Sequence, residues 1–350
     1  MINNMYKNSD RLKLLVFSLF FIISACDKSS PKSYPFHYSG SIMGTSFSIK
    51  ASQLPVRLTV EQLREEVKAR LDAINLRMST YLKDSELSLL NRLQSTKQQH
   101  ISPELLEVLL AAEEISELST GAFDITVAPL VNLWGFGPDM MRYQAPKAEA
   151  IQKILAKTGY TQLIVDEQDA SITKKIPELS MDLSALAKGY AVDEVALVLE
   201  NHDITDYLVE IGGEIRLKGV NLQGKKWRIA IEKPVINKRE LERVIAISNI
   251  SMATSGDYRN FFEQEGQRFS HTIDPRTGYP ITHKLASVTV LSKTTMLADA
   301  WATALMVFGE EAAYDIAEQQ KLAVFFIIKT DQGFTERETA LFTQYTKGQK

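Results

Sequence analysis

The sequence predicts an α+β protein, a mixed sheet with packed helices, rather than a doubly wound fold. Three observations carry that expectation. Strand-like stretches cluster in the second half of the chain instead of alternating strictly with helices. The first helical segment shows apolar residues at three- and four-residue spacing, so it offers one face to a core. The chain has 350 residues, 45% hydrophobic and 24% charged, which is enough to bury a sizeable core. A net charge of −3 with no basic stripe argues against nucleic acid as a partner. A single cysteine excludes an internal disulfide framework and a cysteine-based zinc site.

Residues 1–25 stand apart from that globule. Lys7, Arg11 and Lys13 precede the apolar run Leu14 to Ile23, which is too short to span a bilayer and reads as an export signal. The closing Ile23-Ser24-Ala25-Cys26 resembles a bacterial lipobox. That resemblance implies that Cys26 is lipidated, and Asp27 behind it resembles a signal for retention in the inner membrane. Residues 26–36, polar with Pro31, read as a tether, and residues 37–350 as the functional domain.

His37 to Lys50 reads as one strand interrupted at Met43-Gly44-Thr45, where glycine suggests a bulge or close backbone approach. Thr59 with Gln62 predicts a capped helix striped by Val60, Leu63, Val67, Leu71 and Ile74. Met78 to Glu86 is polar. Ser102-Pro103 opens a second helix, and Gly121 follows its end after Leu118. Ala122 to Gly137 is apolar and aromatic but broken by glycine and proline, so it cannot be one regular helix. A linker from Pro138 to Pro146 leads to a helix ending near Lys157. Leu163 to Val165 and Ser171 to Thr173 predict a hairpin, and Ala185 to Leu199 a helix. Tyr207 to Ile215, Trp227 to Ile231, Val244 to Ala253, Arg268 to Ile273 and Ala286 to Leu291 are expected strands. Thr294 to Phe308 and Glu310 to Gln319 are expected helices, followed by a strand at Ala323 to Ile328.

No P-loop, dinucleotide fingerprint, H-E-x-x-H or nucleophile elbow is present. Four stretches could still carry chemistry. Ser270-His271-Thr272-Ile273-Asp274-Pro275-Arg276-Thr277-Gly278 ends a strand in a tight turn, a polar site or simply a solvated hairpin loop. Asp299 is the only charge in an apolar helical run, with Thr303 four residues on along the same face. These are hard oxygen donors of the kind magnesium accepts, or else a helix-start carboxylate and a hydroxyl bonded to the preceding turn. Asp182 or Ser184 could cap the helix that follows, or free backbone groups there could bind a ligand. Thr254-Ser255-Gly256 is a solvated turn or a cradle for phosphate.

Taken in order, Met43-Gly44-Thr45, Ser79-Thr80-Tyr81, Gly121-Ala122-Phe123-Asp124-Ile125-Thr126, Trp134-Gly135-Phe136-Gly137, Asp182-Leu183-Ser184 with Lys188-Gly189, Gly212-Gly213, Thr254-Ser255-Gly256, Ser270 to Gly278 and Ala298-Asp299-Ala300-Trp301 resemble the ApbE family of flavin transferases. The resemblance runs from about Met43 to Gly309. It implies an ApbE-like fold and magnesium-dependent transfer of FMN from FAD to a threonine or serine hydroxyl of a target protein, with AMP released. FAD contacts would fall on Met43, Tyr81, Ala122, Phe123, Asp124, Asp182, Lys188 and Ile273, with Thr254, Ser255 and Gly256 at the phosphates. Magnesium would fall on the Ala185 carbonyl, Asp299 and Thr303, and the role of base or proton shuttle on His271. Some relatives carry Glu at the position of Lys188, so no charge-dependent role follows there. The implied acceptors are subunits of membrane redox complexes, of the sodium-pumping NADH:quinone reductase or Rnf type. They would be met at the periplasmic side of the inner membrane. Two rivals remain: an FAD pyrophosphatase that uses water as acceptor, and a non-catalytic flavin-binding lipoprotein.

Overall fold

Eight strands form one sheet whose spatial order follows the sequence. They are β1 (Phe36–Ile42), β2 (Thr45–Ala51), β3 (Tyr207–Ile211), β4 (Glu214–Lys218), β5 (Ile250–Gly256), β6 (Leu285–Ser292), β7 (Ala323–Thr330) and β8 (Gly333–Glu338). The computed structural model describes residues 35–137, 144–235, 240–257 and 261–347. The export segment, Cys26, all of the tether but its last two residues, and residues 138–143 of the expected linker lie outside the described residues.

The α+β class holds, and the sheet expected to be mixed is antiparallel at every pairing. Tight turns join β1 to β2, β3 to β4 and β7 to β8, and each longer connection brings its next strand back in the opposite direction. Two of these turns overturn expectations of single strands. Met43 (φ 51°) and Gly44 (φ 75°) both take left-handed backbone, which fits the right-handed twist of a two-residue hairpin. Gly212 (φ 65°) and Gly213 (φ 105°) likewise cut Tyr207 to Ile215 into β3 and β4. Asn249 (φ 57°) separates β5 from the preceding strand Leu241–Ile247. Alternation of apolar residues runs through such turns, so periodicity alone reads two strands as one.

The helices are α1 (Val60–Met78), α2 (Glu86–Arg92), α3 (Pro103–Leu118), α4 (Ala128–Leu133), α5 (Ala148–Leu155), α6 (Ala187–Asn201), α7 (Thr295–Phe308), α8 (Glu310–Gln319) and α9 (Ala340–Thr346). Thr59 and Gln62 form the expected capping box at α1, and the Ser102 hydroxyl accepts from Leu105 N at α3. Among the described residues no helix is long and apolar enough to cross a membrane.

One face of the sheet buries Phe47, Ile49, Val209, Ile211, Val288, Val290 and Phe326 against α1, α3, α6 and α7. The other buries Ile215, Leu217, Met252 and Phe325 under the hairpin Trp227–Glu232 with Leu241–Ile247, and under Phe342 of α9. Covered on both faces, the first seven residues of β6 and the first five of β7 are continuous buried runs rather than alternating ones. A third, smaller cluster gathers Leu130, Trp134, Ile151, Phe262 and Ile273. It joins α4 and α5 to the strands Phe261–Gln264, Gln267–Ser270 and Ile273–Asp274, so the stretch expected as one strand from Arg268 to Ile273 is broken at His271-Thr272.

Candidate active site

The chemistry-bearing end of the sheet is where the Met43-Gly44 and Gly212-Gly213 turns lie side by side. Pairing of β2 with β3 places Phe47 opposite Ile211, and Gly212 N donates to the Ser46 carbonyl at 2.9 Å. In β5, Met252 pairs with Ile215 of β4, so Thr254-Ser255-Gly256 run out toward the same end. The left-handed Met43 costs roughly 1–2 kcal/mol over glycine, a strain of the sort found where a backbone serves a site.

Two helices converge here. A Cβ at Gly189 of α6 would lie 2.5 Å from the Thr295 carbonyl oxygen and 2.7 Å from Met296 Cα, so only glycine permits the α6–α7 approach. Asp193, four residues on, accepts from Thr295 N at 3.0 Å and Met296 N at 2.9 Å, and Arg216 of β4 holds it at 2.9 Å. The clamp fixes Asp299, buried on α7 at 4% exposure. Its Oδ2 accepts from Gly189 N at 3.2 Å and Lys188 Nζ at 3.3 Å. Lys188 also donates to the Ser184 carbonyl at 3.0 Å and lies 3.6 Å from Glu214 Oε1. One turn along α7, Thr303 Oγ1 is 3.3 Å from Ser255 Oγ.

Two buried acids thus share a single ammonium, and with both ionised the cluster would be one positive charge short. Burial opposes the charge on Lys188, but Asp299 and Glu214 outweigh it and raise its pKa. The deficit falls on the acids: burial pushes Asp299 up against the pull of Lys188, and pushes Glu214 up to about 8. Glu214 Oε2 is buried without a hydrogen-bond partner.

The region before α6 departs from the sequence expectation. The sequence expected a helix from Ala185, capped by Asp182 or Ser184. Instead α6 starts at Ala187 with Leu186 as N-cap and no side-chain cap, while Asp182 Oδ1 accepts from Ser184 N at 2.7 Å within a turn. Because Leu186 is bent out of helical backbone (φ −150°), Ala185 sits before the regular helix, and Gly189 N is turned to Asp299. Among the described residues no group of three His, Cys, Asp or Glu side chains is placed to hold a metal. Of the ligands that the resemblance implies, Asp299 and Thr303 lie one turn apart on α7, a carboxylate and a hydroxyl, hard-oxygen donors of the kind magnesium accepts with water or phosphate completing its shell.

A second wall comes from loops. Asp182 N donates to the Ile125 carbonyl at 2.7 Å, joining it to the Ala122-Phe123-Asp124 segment. Ala122 and Phe123 are buried, and Asp124 caps the 3-10 turn Ile125–Val127. The Asp124 carboxylate accepts from Thr126 N at 2.7 Å and Tyr160 N at 2.8 Å, though burial still holds its pKa above the usual range. The Ser270–Gly278 stretch packs on this segment. Trp134 Nε1 donates to the Gly278 carbonyl at 2.8 Å, and the Arg276 guanidinium lies 5.1 Å from the Phe308 ring. Arg276 is engaged by Asp274 through two bonds of 2.9 Å, which makes it part of the turn. His271 is half-buried with its ring edge-on to Phe136 at 6.3 Å, and Ile273 is buried in the Trp134 cluster. Tyr81 is 72% exposed on the loop between α1 and α2.

The structure therefore pairs Lys188 with Asp299 and Ser255 with Thr303 through direct contacts, the two pairs one turn apart on α7, and links Asp182 to the Ala122–Asp124 segment. Thr254, Gly256 and Met43 share the same sheet end. Glu214 is the site residue that sequence reading missed. A signal was present: Glu214, Arg216 and Lys218 alternate on one face of β4 and pair with Lys188, Asp193 and Glu200 of α6 in the same order.

Comparison with known proteins shows the family. The ApbE family matches residues 43–326. The FAD:protein FMN transferase of Haemophilus influenzae is 42% identical over 339 residues, covering 95% of this chain and 97% of that protein. The protein of the same description from Vibrio cholerae serotype O1 is 44% identical over 332 residues, with 95% and 98% covered. Among solved structures, the flavin transferase ApbE from Vibrio cholerae superposes with a TM-score of 0.82 at 45% identity, covering 88% of this chain and 98% of that one. The apo Pseudomonas stutzeri flavinyl transferase ApbE gives 0.82 at 38% identity, with 89% and 96% covered. With the family matched over most of its length and relatives of this identity aligned almost end to end, this chain belongs to the ApbE family.

Proposed function

We propose that this protein is a magnesium-dependent FAD:protein FMN transferase. The observation that carries the reading is the Lys188–Asp299–Glu214 cluster, two buried acids on one ammonium, with the Ser255–Thr303 hydroxyl pair one turn along α7, in a chain of this family. Asp299, Thr303 and the Ala185 carbonyl would hold magnesium, which neutralises charge at a pyrophosphate. Met43, Tyr81, Ala122, Phe123, Asp124, Asp182, Lys188 and Ile273 would receive FAD, with Thr254-Ser255-Gly256 near its phosphates.

The step is a phosphoryl transfer. A threonine or serine hydroxyl of the acceptor forms a bond to the FMN-side phosphorus, the bond to the AMP oxygen breaks, and AMP leaves. His271 accepts the hydroxyl proton, for which an imidazole is suited near neutral pH. FMN stays on the acceptor as a phosphoester. Export and lipidation of Cys26 would hold the enzyme at the periplasmic face of the inner membrane, where a shared surface raises its effective concentration toward membrane redox subunits of the Na+-pumping NADH:quinone reductase or Rnf type.

The test is to incubate the detergent-solubilised chain with FAD, magnesium and such a subunit, followed by mass spectrometry. FMN-bearing acceptor plus AMP is the expected result. Free FMN plus AMP would replace the reading with a pyrophosphatase, and FAD left intact would replace it with a flavin carrier.

A further inference from the structure

We infer that Lys188 is a built-in placeholder cation, pairing with Asp299 when no metal is bound and passing to Glu214 when magnesium takes Asp299. The inference rests on the magnesium assignment above and adds the device that lets the site exist with and without the ion.

Lys188 Nζ lies 3.3 Å from Asp299 Oδ2 and 3.6 Å from Glu214 Oε1, so changing its main partner needs only a small swing of a flexible stem. Both carboxylates are 4% exposed, and neither can be left bare at low cost. Glu214 keeps Oε2 buried and unpartnered, spare acceptor capacity that a fixed structural pair would not need. The other cations on that face of β4 are committed: Arg216 to Asp193 and Lys218 to Glu200. Lys188 is the one these contacts leave between the two acids. Its remaining polar contact, to the Ser184 carbonyl, tethers the ammonium beside Ala185 without compensating either charge. An ammonium and a divalent cation repel each other at such range, so metal at Asp299 drives Lys188 toward Glu214.

The device makes opposite predictions for its two members. Magnesium is titrated calorimetrically into the full chain without FAD, and melting is followed with and without the ion. Lys188→Met, which removes the competitor, should tighten magnesium binding about tenfold or more and gain the most thermal protection from it. Glu214→Gln, which leaves Lys188 only Asp299, should weaken binding about tenfold. The double variant should return to at least wild-type affinity. Unchanged or weaker binding by Lys188→Met overturns the placeholder. A double variant as weak as Glu214→Gln also overturns it, by making Glu214 a ligand in its own right. Asp299→Asn separates the two levels: retained wild-type binding there, or none in the wild type either without or with FAD, refutes the metal assignment itself.

Discussion

The two walls of the site are built on different plans. The carboxylate wall sits on regular elements, with Asp299 and Thr303 on α7, Lys188 on α6 and Glu214 on β4. A glycine-only helix approach and the ion pairs joining α6 to β4 hold it in place. The other wall is loop and short hairpin: Ile273 packs with Trp134, His271 lies edge-on to Phe136, Ala122–Asp124 lead into a 3-10 turn, and Tyr81 is exposed on its loop. The contrast suits a division of labour. Groups that neutralise phosphate charge need fixed positions, whereas groups that accept a large ring system and an incoming acceptor need room.

Substitutions in the two walls should therefore fail differently. His271→Ala should slow FMN transfer about 10²–10⁴-fold while FAD and magnesium binding persist, measured by single-turnover kinetics beside equilibrium binding. A wild-type rate would remove His271 from the reaction. Gly189→Ala tests the rigid wall. Alanine gains about 1 kcal/mol of helix propensity, but its Cβ meets backbone at 2.5 Å, and overpacking of about 1–3 kcal/mol wins. Denaturant unfolding should show net destabilisation together with loss of activity. Trp134→Phe keeps an aromatic side chain but loses indole volume at a buried position and the bond to Gly278, the bond alone costing about 0.5–1.5 kcal/mol and the cavity adding to it. A raised KM for FAD with little change in kcat would mark the loop wall as the binding half; the reverse split would blur the comparison.

The smallest effect lies beside the site. Burial lowers the pKa of His283 against the pull of Glu310, whose carboxylate lies 4.0 Å from Nδ1, beyond hydrogen-bond distance. As pH falls below 6.5 the unfolded chain takes up a proton that the folded chain resists, so stability declines until the folded value is passed. His283→Gln should lack this component, and its stability deficit relative to wild type should narrow between about pH 7 and about pH 5.

What the sequence disclosed follows the range of the forces involved. The caps of α1 and α3 are local, so Thr59 with Gln62 and Ser102-Pro103 announced them. The lone carboxylate of α7 was equally visible, since one charge in an apolar run needs a partner. The turns at Met43-Gly44, Gly212-Gly213 and Asn249 were hidden because alternation continues through them. The short α2 and α9 and the edge strand β8 were missed, as each owes its form more to packing and caps than to a long pattern. Glu214 was out of reach from β4 alone, because its burial depends on Lys188 at a separation only the fold closes.

The most direct test of the central claim is AMP release from FAD by wild type and Asp299→Asn across a magnesium titration, with FAD binding measured in parallel. A saturable magnesium dependence in the wild type, abolished in the variant while FAD still binds, is the predicted result. Magnesium-dependent release by Asp299→Asn at the wild-type midpoint would contradict it.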